Sequence, residues 1–528
     1  MYQINNKTDK PDIGYMQAYM EQMMKRGIRL SDCEKIKNHY VDLREALASD
    51  FIYKYGVQNP RSPKQLVEYI KDLANSVDIT SKNDIINICY NEETKKWTTD
   101  AAAMSKLAAL GYEFAADLLD YRHTKKYAES IESIVAAADK NGLIHPTVSL
   151  TKTNRISYSD PGLMSIPKQL LWILIRPYSD NKVIYSVDIK NQEPHILISM
   201  TGAKELQYAL EAKEGLYETM FKQCFQPTVT ANVLLDTFME NRVYSPSEIR
   251  QLGTISPALY SAVRPSASMY LNGKRIISIE TVCVGSEKGL KPDLPKTVNV
   301  ELQDQTIAEV EVEWNEADIK VNRATDYAVS GKLKNIEIKI SKAERKEFKT
   351  SWLAISYGSG SRNIQEVCKL IDGKRVYNYI TKIGPIKEYR SKITKLANQG
   401  INQIGTIFGT TLYAGIDPDE TGKLKRVLLD LPIQGSGADI LSLLIKRHEQ
   451  YTKEHNLEDK INIYYSRHDE LILEVDKQWE NTIGKEKVAE VLNDIFEHRI
   501  NDWVPFKMEI TRIDTDNINY EFESDDDE

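Results

Sequence analysis

Hydrophobic residues recur at helical spacing through the N-terminal region and at period two in the middle of the chain. Between Tyr15 and Tyr55 few breakers interrupt the pattern, which predicts helix. Ser62-Pro63-Lys64-Gln65-Leu66 reads as an N-cap followed by proline at the first helical position. Thr98 and Thr99, ahead of Asp100-Ala101-Ala102-Ala103, mark another start, and a long pattern runs from about Phe114 to Ala138. Residues 13–150 are therefore predicted to be mostly helical. From Val183 onward strands and helices alternate, an α/β pattern with one interruption. Arg275–Val282, Val298–Leu302, Glu309–Trp314 and Asn335–Ile340 alternate apolar and polar positions, which predicts a small inserted antiparallel sheet over 270–340.

At 528 residues the chain has room for roughly three domains of ~100–200 residues. No window reads as the ~18 apolar residues of a membrane span, and the first thirty residues lack a signal-peptide core. The five cysteines (Cys33, Cys89, Cys224, Cys283, Cys368) are odd in number and have no CxxC spacing. They predict reduced thiols in a cytosolic setting, with neither a zinc site nor a disulfide framework. The net charge is −8, yet Lys342 to Lys395 holds 13 basic against 5 acidic residues. Such a segment fits a DNA channel and, taken alone, equally an ordinary solvated helical surface. Glu521–Glu528 reads as a disordered acidic tail.

Asp188, in VIYSVDIKNQEPHI, and Asp469, in IYYSRHDELILEVD, each end or turn an apolar β-branched stretch. A strand of that kind carries a carboxylate to the edge of a sheet. Between them, Arg345, Lys349, Leu353 and Tyr357 recur at spacing four and share one helix face. Two acids for metal ions and a cationic helix for a triphosphate are the minimal parts of phosphoryl transfer. Singly, each has a plainer reading. An aspartate is commonly a cap or turn residue, and the helix could be a surface helix with i,i+4 pairs from Glu344 and Glu347.

Taken together, the blocks resemble the signature motifs of family A DNA polymerases, the group typified by bacterial DNA polymerase I. Thr153-Asn154-Arg155-Ile156-Ser157-Tyr158-Ser159-Asp160-Pro161, ending in Ile166-Pro167, is similar to the block that grips the primer–template minor groove. Asp188–Glu193, Arg345–Gly358 and His468-Asp469-Glu470 resemble motifs A, B and C, and Leu431-Pro432-Ile433-Gln434-Gly435 resembles the helix start before motif C. Arg26-Gly27-Ile28 and Ser62–Leu66 resemble the entry to the family's thumb. The resemblance runs from about residue 17 to 515, apart from the insertion. It implies an α/β (α+β) right-hand polymerase fold: an antiparallel palm sheet, helical fingers and thumb, and a small β module inserted in the fingers.

The activity implied is template-directed addition of dNTPs to the 3′ end of a primer on DNA. Two Mg2+ ions, replaceable by Mn2+, would be held by Asp188, Asp469 and the carbonyl of Ile189, with Glu470 close behind them. Arg345 and Lys349 would neutralise the β- and γ-phosphates, Lys349 also supplying a proton to the leaving pyrophosphate. Tyr357 would pack near the nascent pair, with Gln192, Leu353 and Tyr217 as further nucleotide contacts. Glu193 would crowd a ribose 2′-hydroxyl, which favours deoxyribose and disfavours the rival reading of a single-subunit RNA polymerase. Arg155, Arg426 and Gln434 would read the minor groove, and His468 would position the primer end. Intact carboxylates and Lys349 argue against a catalytically silent DNA-binding relative.

Three positions depart from the family's pattern. Leu353 stands where phenylalanine or tyrosine is usual, which predicts strong discrimination against dideoxynucleotides. Tyr217 replaces a common phosphate-binding histidine and leaves that contact open, and His195 replaces an arginine. Asp188 and Arg345 lie 157 positions apart, wider than the family normally shows. The expected map is an extension (1–16), thumb (17–150), palm (151–200 and 401–515), fingers (201–400) and acidic tail (516–528). The fingers hold the motif B helix at 341–358 and the insertion at about 226–340, read as a site for downstream or displaced DNA or an accessory replication protein, or equally as a tolerated surface elaboration. Only about fifteen residues precede the thumb-like region, so neither proofreading nor 5′-nuclease activity is expected. A monomeric phage, mobile-element or repair enzyme of the bacterial or infected-host cytosol is the corresponding expectation.

Overall fold

The computed structural model describes residues 1–31, 33–91, 95–235, 242–245, 248, 269–322, 326–368 and 370–513. The expected acidic tail and part of the insertion lie outside them. The chain divides into two compact units, one mainly Met1–Gln192 with Gln434–Asn501, the other mainly Glu193–Ile433.

In the first unit the predicted helices form, with Ser62 as the expected cap and with Asp100, not Thr98 or Thr99, capping the next. Ser62 caps Pro63–Ser76 and Asp100 caps Ala101–Ala109, each side chain accepting a backbone N–H of the first turn. Glu113–Ala137 realises the long pattern, and Phe51, Leu66, Ile70, Met104, Phe114 and Leu118 close a core among these helices. The stretch from Tyr15 to Tyr55 is two helices, Ile13–Arg26 and Cys33–Tyr55, with a strand, Ile28–Leu30, between them. Gly27 makes the break: its φ is +92°, and a Cβ there would meet His145 Cε1 at 2.6 Å. The N-terminal residues are tied in as well, because Tyr2–Ile4 pairs in parallel with His498–Ile500.

A short helix, α1 (Lys168–Leu174), leads into the central strand of a four-stranded sheet. Its strands are β1 (Lys182–Ile189), β2 (Ile461–Arg467), β3 (Glu470–Asp476) and β4 (Met508–Ile513), ordered β2-β3-β1-β4 and antiparallel throughout. β1 and β3 are buried almost end to end, as expected of inner strands.

Helices α2 (Gln192–Thr201), α3 (Leu216–Cys224), α4 (Lys342–Ser356) and α5 (Thr421–Glu454) belong wholly or in part to the second unit. α5 corrects one expectation: Leu431-Pro432 is not a helix start, because α5 begins at Thr421 and runs through Pro432. It also corrects the hydropathy reading, being long and apolar enough to cross a membrane, though 89% of its most apolar window is buried within the protein. Burial explains both: Leu424, Leu428, Leu429, Leu431 and Ile433 are at most 2% exposed, so packing holds a helix that proline alone would break.

The insertion is larger than the pattern predicted and is not purely antiparallel. It is a nine-stranded sheet that starts at Thr228–Leu235, and this strand pairs in parallel with Val282–Ser286 and antiparallel with Tyr327–Leu333. Parallel neighbours are paired by topology and leave no turn signal between them, so their partnership was not visible in the pattern. Val229, Ala231, Ile276, Val284, Val298, Val300 and Val310 build its core. Gly331 is obligatory there, since a Cβ would stand 2.5 Å from Val312 Cγ1 and 2.6 Å from Trp314 Cε3.

Candidate active site

Asp188 occupies the penultimate position of β1, where its side chain is a third exposed between buried neighbours. The β1–β3 register sets it opposite Glu470. Residues so placed stand ~4.5–5.5 Å apart between Cα atoms. Asp469 immediately precedes Glu470, in the two-residue turn His468-Asp469 that joins β2 to β3 and is closed by the Arg467–Glu470 pair. Asp188 and Asp469 therefore reach the same end of the sheet on adjacent strands, one residue out of register. His468 adopts a φ of +54° to make the turn, a conformation costing a non-glycine residue ~1–2 kcal/mol. Ile189 ends β1 beside Asp188.

Glu470 is 3% exposed and accepts hydrogen bonds from Ser186 Oγ and from Lys168 Nζ, the latter at 3.0 Å. Lys168 Nζ also lies 3.1 Å from Asp188 Oδ2. Burial pushes the Glu470 carboxyl above its ordinary pKa, with Lys168 pulling the other way. For Lys168 burial opposes the charge, but the Glu470 and Asp188 carboxylates outweigh it and hold its pKa above the usual lysine value. In the same unit Gln192 and Arg155 converge on α5 one turn after Gln434. A Cβ at Gly437 would strike Gln192 Oε1 and stand 3.6 Å from Arg155 Nη2.

In the second unit, α4 opens on a full capping box in which Ser341 and Glu344 satisfy each other's backbone N–H groups. Glu347 accepts from the backbone N–H of Leu370 at 2.9 Å. These two glutamates, on which the plain surface-helix reading relied, are thus engaged with the backbone. Phe348, Ser351, Trp352 and Ile355 bury one face of α4. Arg345, Lys349, Leu353 and, just past the helix end, Tyr357 are half-buried on the other. The Tyr357 hydroxyl donates to Glu193, so the expected sugar-side glutamate and the expected base-side tyrosine are one hydrogen-bonded pair. α4 stops at Gly358, whose φ is +93° and whose missing Cβ makes room for Leu429 Cδ1 and Arg426 Cγ. Tyr217 is 2% exposed, stands edge-on to Trp352 at 6.5 Å, and lies 5.5 Å beneath the Arg345 guanidinium. Arg345 Nε donates to Glu218, whose other oxygen is buried with no hydrogen-bond partner among the described residues.

Residues 31–233 and 324–514 match the profile of DNA polymerase family A. The chain belongs to that family. The motif residues above, apart from Arg26-Gly27-Ile28, lie inside the matched blocks of this family A polymerase domain, and the gap in the match falls within the insertion. Residues 278–336 are similar to the bacterial Ig-like domain (group 4). DNA polymerase I of Caldicellulosiruptor bescii is 24% identical over 422 residues, which cover 78% of this chain and 37% of that relative's length. The POL domain of Pol1 from M. smegmatis, solved with DNA primer-template and dNTP, superposes with a TM-score of 0.60 at 16% identity. That match covers 95% of this chain and 70% of that one, and it carries the fold.

Reading the sequence did not find Lys168, Ser186 or Glu218. Lys168 directly follows the Ile166-Pro167 motif end, so its place was visible, but its reach to residues 20 and 302 positions away was not.

Proposed function

We propose that the chain is a template-directed DNA polymerase that extends a primer 3′ end with dNTPs. The observation that carries this reading is the register that brings Asp188 level with Asp469-Glu470 in a chain of family A. The donor set fits divalent ions such as Mg2+ or Mn2+. It is made of hard carboxylate oxygens, and an ammonium group already lies between two of them. Asp188, Asp469 and the Ile189 carbonyl would hold the ions, whose chemistry is to stabilise the attacking and leaving oxygens of an in-line displacement. Arg345 and Lys349 would bind and orient the phosphates, with Lys349 holding a proton for the pyrophosphate. The Tyr357 hydrogen bond would fix Glu193 against the sugar. Arg155, Gln192, Arg426 and Gln434 would hold the primer–template minor groove, and His468 the primer end.

Primer extension tests this directly. Asp188→Asn or Asp469→Asn should lower the rate by ~10³-fold or more while leaving the melting temperature within a few degrees. Wild-type extension by either variant overturns the reading. Glu193→Ala should raise rNTP incorporation relative to dNTP by ~10-fold or more by removing the crowding group. Unchanged selectivity would show that sugar choice lies elsewhere. For the insertion, protein docking fits better than DNA contact at strand Ile307–Trp314, which presents Glu309 and Glu311 as exposed carboxylates, while the third of the row, Glu313, is paired with Lys334.

A further inference from the structure

We propose that Lys168 is a resident cation of the carboxylate cluster. It would hold the ligand Asp188 and the neighbouring Glu470 in place before divalent ions arrive, then leave Asp188 as they bind. The inference rests on the reading that Asp188 and Asp469 bind those ions.

Asp188 and Glu470 stand opposite each other at one end of the sheet, with Asp469 next in the chain, and like charges so close repel. Glu470 is buried and cannot dissipate its charge into water. Lys168 is the first residue of α1, and its ammonium contacts Asp188 Oδ2 and Glu470 Oε1 at nearly equal distance, 3.1 and 3.0 Å. The two contacts differ in kind. Glu470 is held a second time by Ser186, whereas the Asp188 side chain is a third exposed and open to exchange of partner. An ion entering from solvent displaces the ammonium from Asp188, and Glu470 keeps it. The stem of Lys168 allows the shift, since Nζ stands 5.1 Å from the centroid of Trp172, one turn along α1, which gives the cation an aromatic face beside the carboxylates. Lys168 is thus a positioning residue that competes with the metal for Asp188 and steadies the buried carboxylate of Glu470 behind it.

The test is titration of the full chain with Mn2+, without DNA or nucleotide, reading free ion by electron paramagnetic resonance. Lys168→Met should tighten Mn2+ binding by roughly three- to tenfold, because a competing positive charge is gone from a partly exposed site. Lys168→Arg should stay near wild type. The thermal melt should mirror this: in EDTA Lys168→Met should melt below wild type, and saturating Mn2+ should narrow the gap. Equal or weaker Mn2+ binding in Lys168→Met, or a melt in EDTA identical to wild type, overturns the proposal. Lys168→Gln serves as the second uncharged variant if the Met form does not fold even with Mn2+. Failure of the underlying reading looks different: Asp188→Asn and Asp469→Asn would then bind Mn2+ as wild type does, whatever Lys168 contributes.

Discussion

At the scale of single residues, two cations of the candidate site, Arg345 and Lys168, are already occupied by carboxylates. Arg345 is bonded to Glu218 and stacked over Tyr217, and Glu218 retains one buried, unpartnered oxygen. A nucleotide phosphate that takes Arg345 from Glu218 leaves that half-buried carboxylate without its counter-charge. Glu218→Gln keeps the shape and weakens the competitor. It should lower KM for dNTP by ~3–10-fold, equivalent to ~1 kcal/mol of relieved competition, with kcat little changed, in steady-state extension on a saturating primer–template. A rise in KM would mean that Glu218 orients Arg345 for the phosphate instead of blocking it. Arg345 and Lys349 were legible in the sequence because spacing four on a helix is a local property. Glu218 and Lys168 were not, because their partners lie 127 and 302 positions away and only the fold makes them neighbours.

At the scale of elements, alternation and caps survived into the structure wherever local signals stood unopposed, as at Ser62 and the strands of the insertion. They failed where tertiary burial overrode them. Pro432 signals a helix start, yet α5 passes through it. Gly27 sits in a run with few breakers, yet it ends a helix because His145 occupies the space of its missing side chain. α5 also carries a titration that the sequence does not announce. His448 is 3% exposed, stacks on Phe496 with ring planes 13° apart, and burial lowers its pKa to about 4. Unfolded histidine titrates near ~6.5. As pH falls from there toward 4, the unfolded chain gains a proton that the folded one refuses, so this site's stability is fully present above 6.5 and is lost on acidification. By pH 4.5 the loss is about 2–3 kcal/mol. His448→Phe, which keeps the stacked ring, should reduce the fall in unfolding free energy from urea titration between pH 7 and 4.5 by that amount. A parallel pH dependence in both proteins would assign acid sensitivity to other groups.

At the scale of the whole molecule, the insertion has the geometry of a removable part. It enters and leaves at adjacent points: Leu333 N donates to Pro227 O at 2.9 Å, and Thr228 pairs with Lys332. Just before the entry, Arg375 Nε donates to Cys224 O at 2.8 Å and its Nη2 to Gln226 O at 3.0 Å, while Tyr379 Oη donates to Gln223 at 2.7 Å. The end of α3 is thus held by the neighbouring helix Gly373–Lys382. The sheet also has its own core, distinct from the helices. A cut at 270–335, as the alternation alone suggests, would leave Val229, Ala231 and Val233 on a strand stripped of its Tyr327–Leu333 partner, an exposed apolar edge prone to aggregation. Cutting at 228–332 and bridging Pro227 to Leu333 with two glycines removes the sheet except for Leu333 and the two-residue edge strand Glu337–Ile338. That chain should fold and extend a short primed template within about threefold of the full-length rate, since α3 and α4 keep their supports and the bridge closes a short loop. Any deficit should appear only on long templates in the presence of a partner protein, measured as product length. Loss of short-template extension by a folded deletion variant would place the sheet in the catalytic cycle itself.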